Sequence, residues 1–267
     1  MDESFVAMKE MPSMHSVSRV IQEAHSIRTI FINGKIESKP GQFIMVWLPG
    51  IEEKPMAVSY LSSSEFGFTY HTIGKFTKAC DNLKKGSTIG IRGPYGNPFS
   101  IRKNALVVGG GVGMASVSTL IDALENPVVI NGARNKGSLI YMERFSGMIV
   151  TTDDGSFGRK GFVTEPLEDE LSNKKFSIVY TCGPELMMKK VFEICEKHKV
   201  DCEASLERVM KCGFGICGNC LVDGHILCTE GPVFGSKILR NLKEFGNSAR
   251  LKTGKKASLK EYYGWRS

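Results

Sequence analysis

The chain of 267 residues is predicted to fold as an antiparallel β unit, then a doubly wound α/β unit, then a small cysteine-bound module. Three patterns carry that expectation. Short apolar runs broken by dense turn signals fill Val17 to Arg102, strand and helix patterns alternate from Ala105 to His198, and four cysteines crowd between Cys212 and Cys228. The expected boundaries are 1–102, 103–203 and 204–236, with a basic tail over 237–267.

In the first unit the runs Thr29–Ile32, Gln42–Leu48, Phe66–Thr72 and Thr88–Ile91 are bounded by Asn33-Gly34, Lys39-Pro40-Gly41 and Gly93-Pro94-Tyr95-Gly96-Asn97. Period-two runs with turns at this density predict a sandwich or a barrel. Between them, Lys54-Pro55-Met56-Ala57-Val58-Ser59-Tyr60 and His71-Thr72-Ile73-Gly74-Lys75-Phe76-Thr77 combine cationic, hydroxyl and glycine groups suited to a phosphate or a flavin. On their own such segments are surface charges and turns in most proteins.

At Ala105 the pattern changes. Strands are expected at Ala105–Val108, Pro127–Asn131, Met148–Thr152 and Phe176–Thr181, and helices at Met114–Leu124, Lys136–Arg144, Glu165–Leu171 and Glu185–His198. Alternation of this kind implies a mostly parallel sheet covered on both faces. Gly109-Gly110-Gly111-Val112-Gly113 joins the first strand to the first helix, where backbone N–H groups attract a pyrophosphate. It is a poor G-x-G-x-x-G match, and a tight turn without ligand explains it nearly as well. Asp153-Asp154-Gly155-Ser156 and Cys182-Gly183-Pro184 end two further strands at the same sheet edge, the edge at which open α/β sheets bind ligands.

The cysteine spacing is Cys212-x4-Cys217-x2-Cys220-x7-Cys228, with Gly213, Gly215 and Gly218 interleaved. C-x4-C-x2-C followed by a fourth cysteine is the plant-type arrangement for a 2Fe-2S cluster. Glycines let backbone N–H groups approach the sulfurs. Structural zinc is the nearest competitor, but it favours two close pairs and only Cys217 and Cys220 form one; buried unliganded thiols are the plain alternative. Cys80, Cys195 and Cys202 read as small core residues. His225, inside the loop, reads as a solvated histidine.

Composition narrows the classes. Apolar residues at 42% and charged residues at 24% describe an ordinary globular chain. The net charge of +7 resides in 237–267, where nine basic residues face two acids, so nucleic-acid binding would rest on a tail rather than on a basic face. That tail is expected to be a solvated extension or an arm docking on an acidic partner, beginning as an amphipathic helix marked by Ile238, Leu239, Leu242 and Phe245. Met1–Ser18 lacks an export-signal pattern and no segment reads as a membrane span, which points to a cytoplasmic chain with reduced thiols.

The order of units together with these motifs resembles the ferredoxin reductase superfamily, and most closely the electron-transfer subunits of NAD-dependent dihydroorotate dehydrogenases. The likeness covers roughly Pro40 to Phe234 and rests on Pro40-Gly41-Gln42-Phe43, Lys54-Pro55, Gly74-Lys75-x-Thr77, Gly93-Pro94-x-Gly96-Asn97, Gly109–Gly113, Asp153-Asp154-Gly155, Cys182-Gly183-Pro184, the four cysteines and Gly231-Pro232-Val233-Phe234. The resemblance implies an FAD-binding barrel, with Lys54, Pro55, Met56, Ala57, Ser59, Tyr70, His71, Thr72, Gly74, Lys75 and Thr77 about the cofactor. It implies an NAD-binding domain using Gly110, Gly111, Gly113, Asp154, Cys182, Gly183 and Pro184, and a 2Fe-2S cluster on Cys212, Cys217, Cys220 and Cys228. The implied partner is an FMN-containing dihydroorotate dehydrogenase catalytic subunit, two of each, serving pyrimidine biosynthesis.

The chain departs from the family at several places. Lys54 stands where Arg is usual, Ala57 where Ser is, Phe76 where Gly is frequent and Ser116 where Pro is; the x7 gap is short and the tail long. Lysine keeps the charge of arginine but loses its planar fork, and Ser59 is a candidate replacement for the missing hydroxyl. Two other readings stand beside this one: a diaphorase subunit of an anaerobic sulfite reductase, hydrogenase or transhydrogenase, and, from another class, a zinc-stabilised binding module.

Overall fold

A computed structural model describes residues 11–266; the expectation for Met1–Ser18 falls partly outside that range. The first unit is a closed barrel. Its strands are β1 (Ser13–Ala24), β2 (Ile27–Asn33), β3 (Phe43–Leu48), β4 (Glu52–Leu61), β5 (Glu65–His71) and β6 (Thr88–Tyr95), in the order β1-β2-β5-β4-β3-β6 with each neighbour antiparallel. Ile30 and Ile32, Ile44 and Val46, Phe66, Phe68 and Tyr70, and Ile89 and Ile91 recur at period two and fill one core. On β3 the opposite face is buried as well, because Phe43 and Met45 join a second core outside the barrel. That double burial explains why Phe43–Leu48 reads as an unbroken apolar run. A short helix, α1 (Lys75–Cys80), buries Phe76 and Cys80 in the barrel core.

The second unit follows the expected alternation: β7 (Ala105–Gly110), α2 (Met114–Ala123), β8 (Val128–Ala133), β9 (Ile149–Thr152), β10 (Arg159–Lys160), α3 (Thr164–Asn173), β11 (Ile178–Cys182), α4 (Glu185–His198) and β12 (Asp201–Ser205). The cysteine module adds the hairpin β13 (Leu221–Val222) with β14 (His225–Ile226) and the one-turn helix α5 (Leu227–Glu230) before the chain returns to the sheet as β15 (Val233–Gly235). The sheet order is β10-β9-β8-β7-β11-β12-β15, parallel except for β15. One apolar core lies under α2 and another under α3 and α4, so both faces are covered.

Two expectations are corrected. Lys136–Arg144 is not a helix: a single tight turn spans Lys136–Ser138, and Leu139, Ile140 and Tyr141 then run buried. Gly137 and Ser138 are weak helix formers, and Tyr141, at φ +62°, carries its hydroxyl 2.6 Å from Thr69 Oγ1 on the barrel. The tail is also not a solvated extension. It folds as α6 (Ser236–Leu239), the hairpin β16 (Ser248–Arg250) with β17 (Lys256–Ser258), and α7 (Leu259–Arg266). The expected amphipathic helix stops at Leu239, but Leu239, Leu242 and Phe245 all enter the core beside α4, and Ala249, Leu259 and Tyr262 form a small core of their own. Much of the positive charge is paired: Arg240 with Glu196 at 2.6 Å, Lys256 with the buried Glu244 at 3.0 Å, Lys252 with Glu52 at 3.1 Å. Among the described residues no helix is long and apolar enough to cross a membrane.

Candidate functional site

At the carboxyl edge of the sheet, β7 and β11 lie side by side and the connections leave in opposite directions, the switch point at which such sheets open a crevice. The two glycine turns touch there. A Cβ on Gly113 would stand 2.5 Å from Gly183 Cα and 2.6 Å from Gly183 N, and one on Gly110 would meet Pro184 and Met187, so only glycines allow this approach. Gly111, at φ +54°, has no neighbour within 4 Å and leaves open space above the turn. Cys182 is buried, and burial pushes its thiol up to about 11 against hydrogen bonds to Ser116 and to the Ser205 carbonyl. Ser116 therefore has a partner. Asp154 lies apart, two strands away, in a turn closed by Ser156 N–H on its carboxylate at 2.9 Å and by its own N–H on the Arg134 carbonyl.

In the barrel, β4 and β5 pair only from Val58–Phe68 onward, so Lys54–Ala57 and Thr69–His71 part company. Lys54–Ala57 remain half-buried along one lip of this gap, and Thr72 to Thr77 form the other. Thr77 Oγ1 accepts the N–H groups of Ile73 and Gly74 at 2.9 and 3.0 Å, and nothing lies within 4 Å of Gly74 on its open side. Lys54 is 3.2 Å from Glu52, and burial lowers its pKa against that pairing. Burial, then the charge of Arg134, lowers the pKa of His71.

The side chains of two flavin candidates are engaged by protein partners. Ser59 is fully buried; its hydroxyl is 2.9 Å from Thr69 Oγ1, and its carbonyl accepts Ser118 Oγ at 2.7 Å and Arg144 at 2.9 Å. That network joins the barrel to α2. Tyr70 points into the barrel core with its hydroxyl on Asp81 at 2.9 Å. Strand periodicity places them on opposite faces: Ser59 shares the outer face of Thr69, and Tyr70 the inner face of Phe66 and Phe68.

The four cysteines of the module associate in pairs, Cys212 with Cys217 and Cys220 with Cys228. Burial opposes a thiolate at Cys212, but the N–H groups of Cys217, Phe214 and Ile216 outweigh it and bring the thiol to about 7. A hydrogen bond from Cys228 brings Cys220 to about 6, while Cys228 itself is raised. Gly215 N–H donates to Cys228 Sγ at 3.2 Å. Among the described residues no three Cys, His, Asp or Glu side chains converge on one metal position. Two separate pairs, each holding one thiol of lowered pKa, Cys212 and Cys220, suit two irons with two thiolates each, rather than one zinc with four. His225 is 2.8 Å from Glu230, outside this set.

The cysteine loop rests on the outer face of the barrel. Met45 packs under Gly213, whose Cβ would stand 2.9 Å from Met45 Cγ, and Arg92 donates to the Cys212 carbonyl at 2.6 Å. Downstream, Asn97 donates to the Glu230 carbonyl at 2.7 Å, and Gly96 abuts Pro232, which brings two sequence motifs together. A buried ion pair, Arg208 with Glu185 at 2.5 and 2.9 Å, ties the entrance of the loop to the first residue of α4, next to Cys182-Gly183-Pro184. None of Arg92, Met45, Arg208 and Glu185 stood out in the sequence. A charged residue completing an apolar strand, as Arg92 does after Thr88–Ile91, was the one available signal.

A family model described as the iron-sulfur cluster binding domain of dihydroorotate dehydrogenase B matches residues 207–240. The probable dihydroorotate dehydrogenase B (NAD(+)), electron transfer subunit of Methanocaldococcus jannaschii is 42% identical over 257 residues, covering 92% of this chain and 98% of its own. That of Thermoplasma acidophilum is 42% identical over 247 residues, covering 91% and 97%. The chain belongs to this family of electron transfer subunits. Membership sets aside the zinc-stabilised binding module. Among solved structures, a chain of the NADH-dependent reduced ferredoxin-NADP oxidoreductase, reported with flavin-based electron bifurcation, matches with a TM-score of 0.76 at 30% identity over 84% of this chain and 89% of its own. Phthalate dioxygenase reductase shares the fold, with a TM-score of 0.59 at 15% identity over 69% and 64%.

Proposed function

We propose that the chain is the electron-transfer subunit of a dihydroorotate dehydrogenase, an oxidoreductase component carrying FAD and a 2Fe-2S cluster and passing electrons from a partner catalytic subunit to NAD+. The observation that carries the reading is the shared location of three features: the cysteine loop lies against the outer face of β3 and β6, the open lip of β4 adjoins β3, and the helix packed on β4 is opened by the first glycine turn, which touches the second. A flavin exchanges either one or two electrons and so belongs between a one-electron cluster and a two-electron nicotinamide.

Cys212, Cys217, Cys220 and Cys228 would hold the cluster, with the Gly215 N–H and the amides facing Cys212 stabilising charge on sulfur. Lys54 would attract the flavin phosphates, and the open space beside Gly74 would admit one of them. Pro55, Met56 and Ala57 would line the flavin, with His71, Thr72, Lys75 and Thr77 on the opposite lip. Gly110, Gly111 and Gly113 would admit the dinucleotide pyrophosphate, and Cys182, Gly183 and Pro184 would border the nicotinamide. Cys182 remains an uncharged thiol at neutral pH, so it adds no negative charge where hydride moves.

The partner is taken to contain FMN and to assemble two-by-two with this chain in the cytoplasm, where eight free thiols stay reduced. The test is the visible spectrum of the purified chain under anaerobic conditions before and after NADH. Flavin and cluster bands that both bleach establish the converter. A colourless protein refutes it, and failure to accept electrons from a dihydroorotate-reduced partner would move the chain to another diaphorase complex.

A further inference from the structure

Arg92 lies on β6, directly across the ladder from Met45 on β3, and its side chain is 6% exposed. Its guanidinium forks onto Glu53 at 2.7 and 2.5 Å. The same Nη2 that meets Glu53 donates to the carbonyl of Cys212 at 2.6 Å, and Phe214 stacks with its ring centre 5.4 Å from the guanidinium carbon. One barrel residue thus grips the loop at its first cysteine and again two residues later. A guanidinium stays charged in such a place, and Glu53 reinforces the charge. A fixed positive charge in a poorly screened site acts strongly on its neighbours.

We propose that Arg92, balanced by Glu53, is a positioning residue that sets the reduction potential of the cluster and so the direction of its electron exchange with the flavin. Reduction adds one negative charge to the group held by Cys212, Cys217, Cys220 and Cys228. Arg92 favours that added charge and Glu53 opposes it, so loss of either partner moves the potential in opposite senses. A purely mechanical clamp would behave differently, since breaking it from either side loosens the same loop.

This inference rests on the reading of those four cysteines as cluster ligands. The test is an EPR-monitored redox titration of the full chain in wild type, Arg92→Gln, Arg92→Lys and Glu53→Gln, with iron and sulfide measured in each. Arg92→Gln should lower the cluster potential, Glu53→Gln should raise it, and Arg92→Lys should stay nearest wild type. A tenfold change in the electron distribution between cluster and flavin corresponds to 59 mV for one electron. Potentials that move in the same sense in Arg92→Gln and Glu53→Gln, or that do not move while iron and sulfide remain intact, overturn the proposal. If Arg92→Gln loads no cluster, the sign in Glu53→Gln decides. Absence of iron from wild type would instead defeat the ligand assignment itself.

Discussion

Gly113→Ala tests whether the two glycine turns form one dinucleotide crevice. The added methyl carbon would stand 2.5 Å from Gly183 Cα, 2.6 Å from Gly183 N and 2.7 Å from the Cys182 carbonyl carbon. Carbon contacts settle at about 3.5–4.0 Å, so the turns must separate by roughly 1 Å. Both sides are backbone, and neither has a rotamer with which to yield. Overpacking of this kind costs about 1–3 kcal/mol, or roughly 2–12 °C in melting temperature for a chain of this size. A misplacement of about 1 Å can lower the rate of a positioned reaction about 100-fold. Anaerobic stopped-flow reduction by NADH and a thermal melt read the two effects, and flavin content should stay at the wild-type level. Gly111→Ala is the control: its φ of +54° adds about 1–2 kcal/mol of backbone strain, but no atom lies within 4 Å to be pushed. A Gly113→Ala protein with wild-type melting and wild-type NADH reduction would refute the contact between the turns.

Phe245→Ala should cost about 3–5 kcal/mol in urea unfolding, because Phe245 is fully buried against Phe192, and a loss below 1 kcal/mol would show that the tail is peripheral. Glu185→Leu should cost about 3–5 kcal/mol by leaving Arg208 buried without its carboxylate, while Glu185→Leu with Arg208→Met should cost less than either single change; a double variant as damaged as the sum of the singles would contradict the pairing. His71 has its pKa lowered from 6.5, first by burial and then by Arg134. As pH falls below 6.5 the unfolded chain takes up this proton before the folded chain does, so stability declines until the folded pKa is passed. His71→Asn should flatten the melting temperature over that window, and an unchanged slope would assign the decline to other groups.

The parts legible in the sequence were those whose constraint is local. Cys212-x4-Cys217-x2-Cys220 states its own geometry, and β7 followed by Gly109–Gly113 and α2 is a strand, a turn and a helix within twenty residues. The partners of Ser59 and Tyr70, Thr69 on the outer face and Asp81 beside the barrel core, are not legible in a list of suitable groups, because strand register decides which face each side chain occupies. Lys136–Arg144 carries helix formers, but Tyr141 gains more by reaching Thr69 across the domain boundary than by adding a turn. The tail was misread for a similar reason. Its basic residues looked solvated because their partners Glu52 and Glu196 lie far away in sequence, and its apolar residues are too widely spaced to announce the core they complete.

The flavin lip and the C-terminal tail meet at one carboxylate. Glu52 joins Lys54 to the tail: its Oε2 is 3.2 Å from Lys54 Nζ and its Oε1 is 3.1 Å from Lys252 Nζ. The three border a cleft of about 320 Å³ between β4, the loop entrance at Val209–Lys211 and the C-terminal hairpin. Lysine is a point charge without a fork, so a shared carboxylate weakens its pull on a phosphate unless a second cation restores the balance. Lys252 is that cation. With it, the cluster of charges at the lip carries a net positive unit; without it, Glu52 cancels Lys54 and the lip becomes neutral. Lys252→Ala should therefore weaken FAD retention although Lys252 sits in the tail. Both pairs are partly exposed, which limits the effect to about 1 kcal/mol, or roughly fivefold in affinity. Titration of flavin fluorescence on the apoprotein, at low and high salt, measures it. An unchanged FAD affinity at low salt would show that Lys54 does not hold the phosphates and that the hairpin joins the barrel for structure alone.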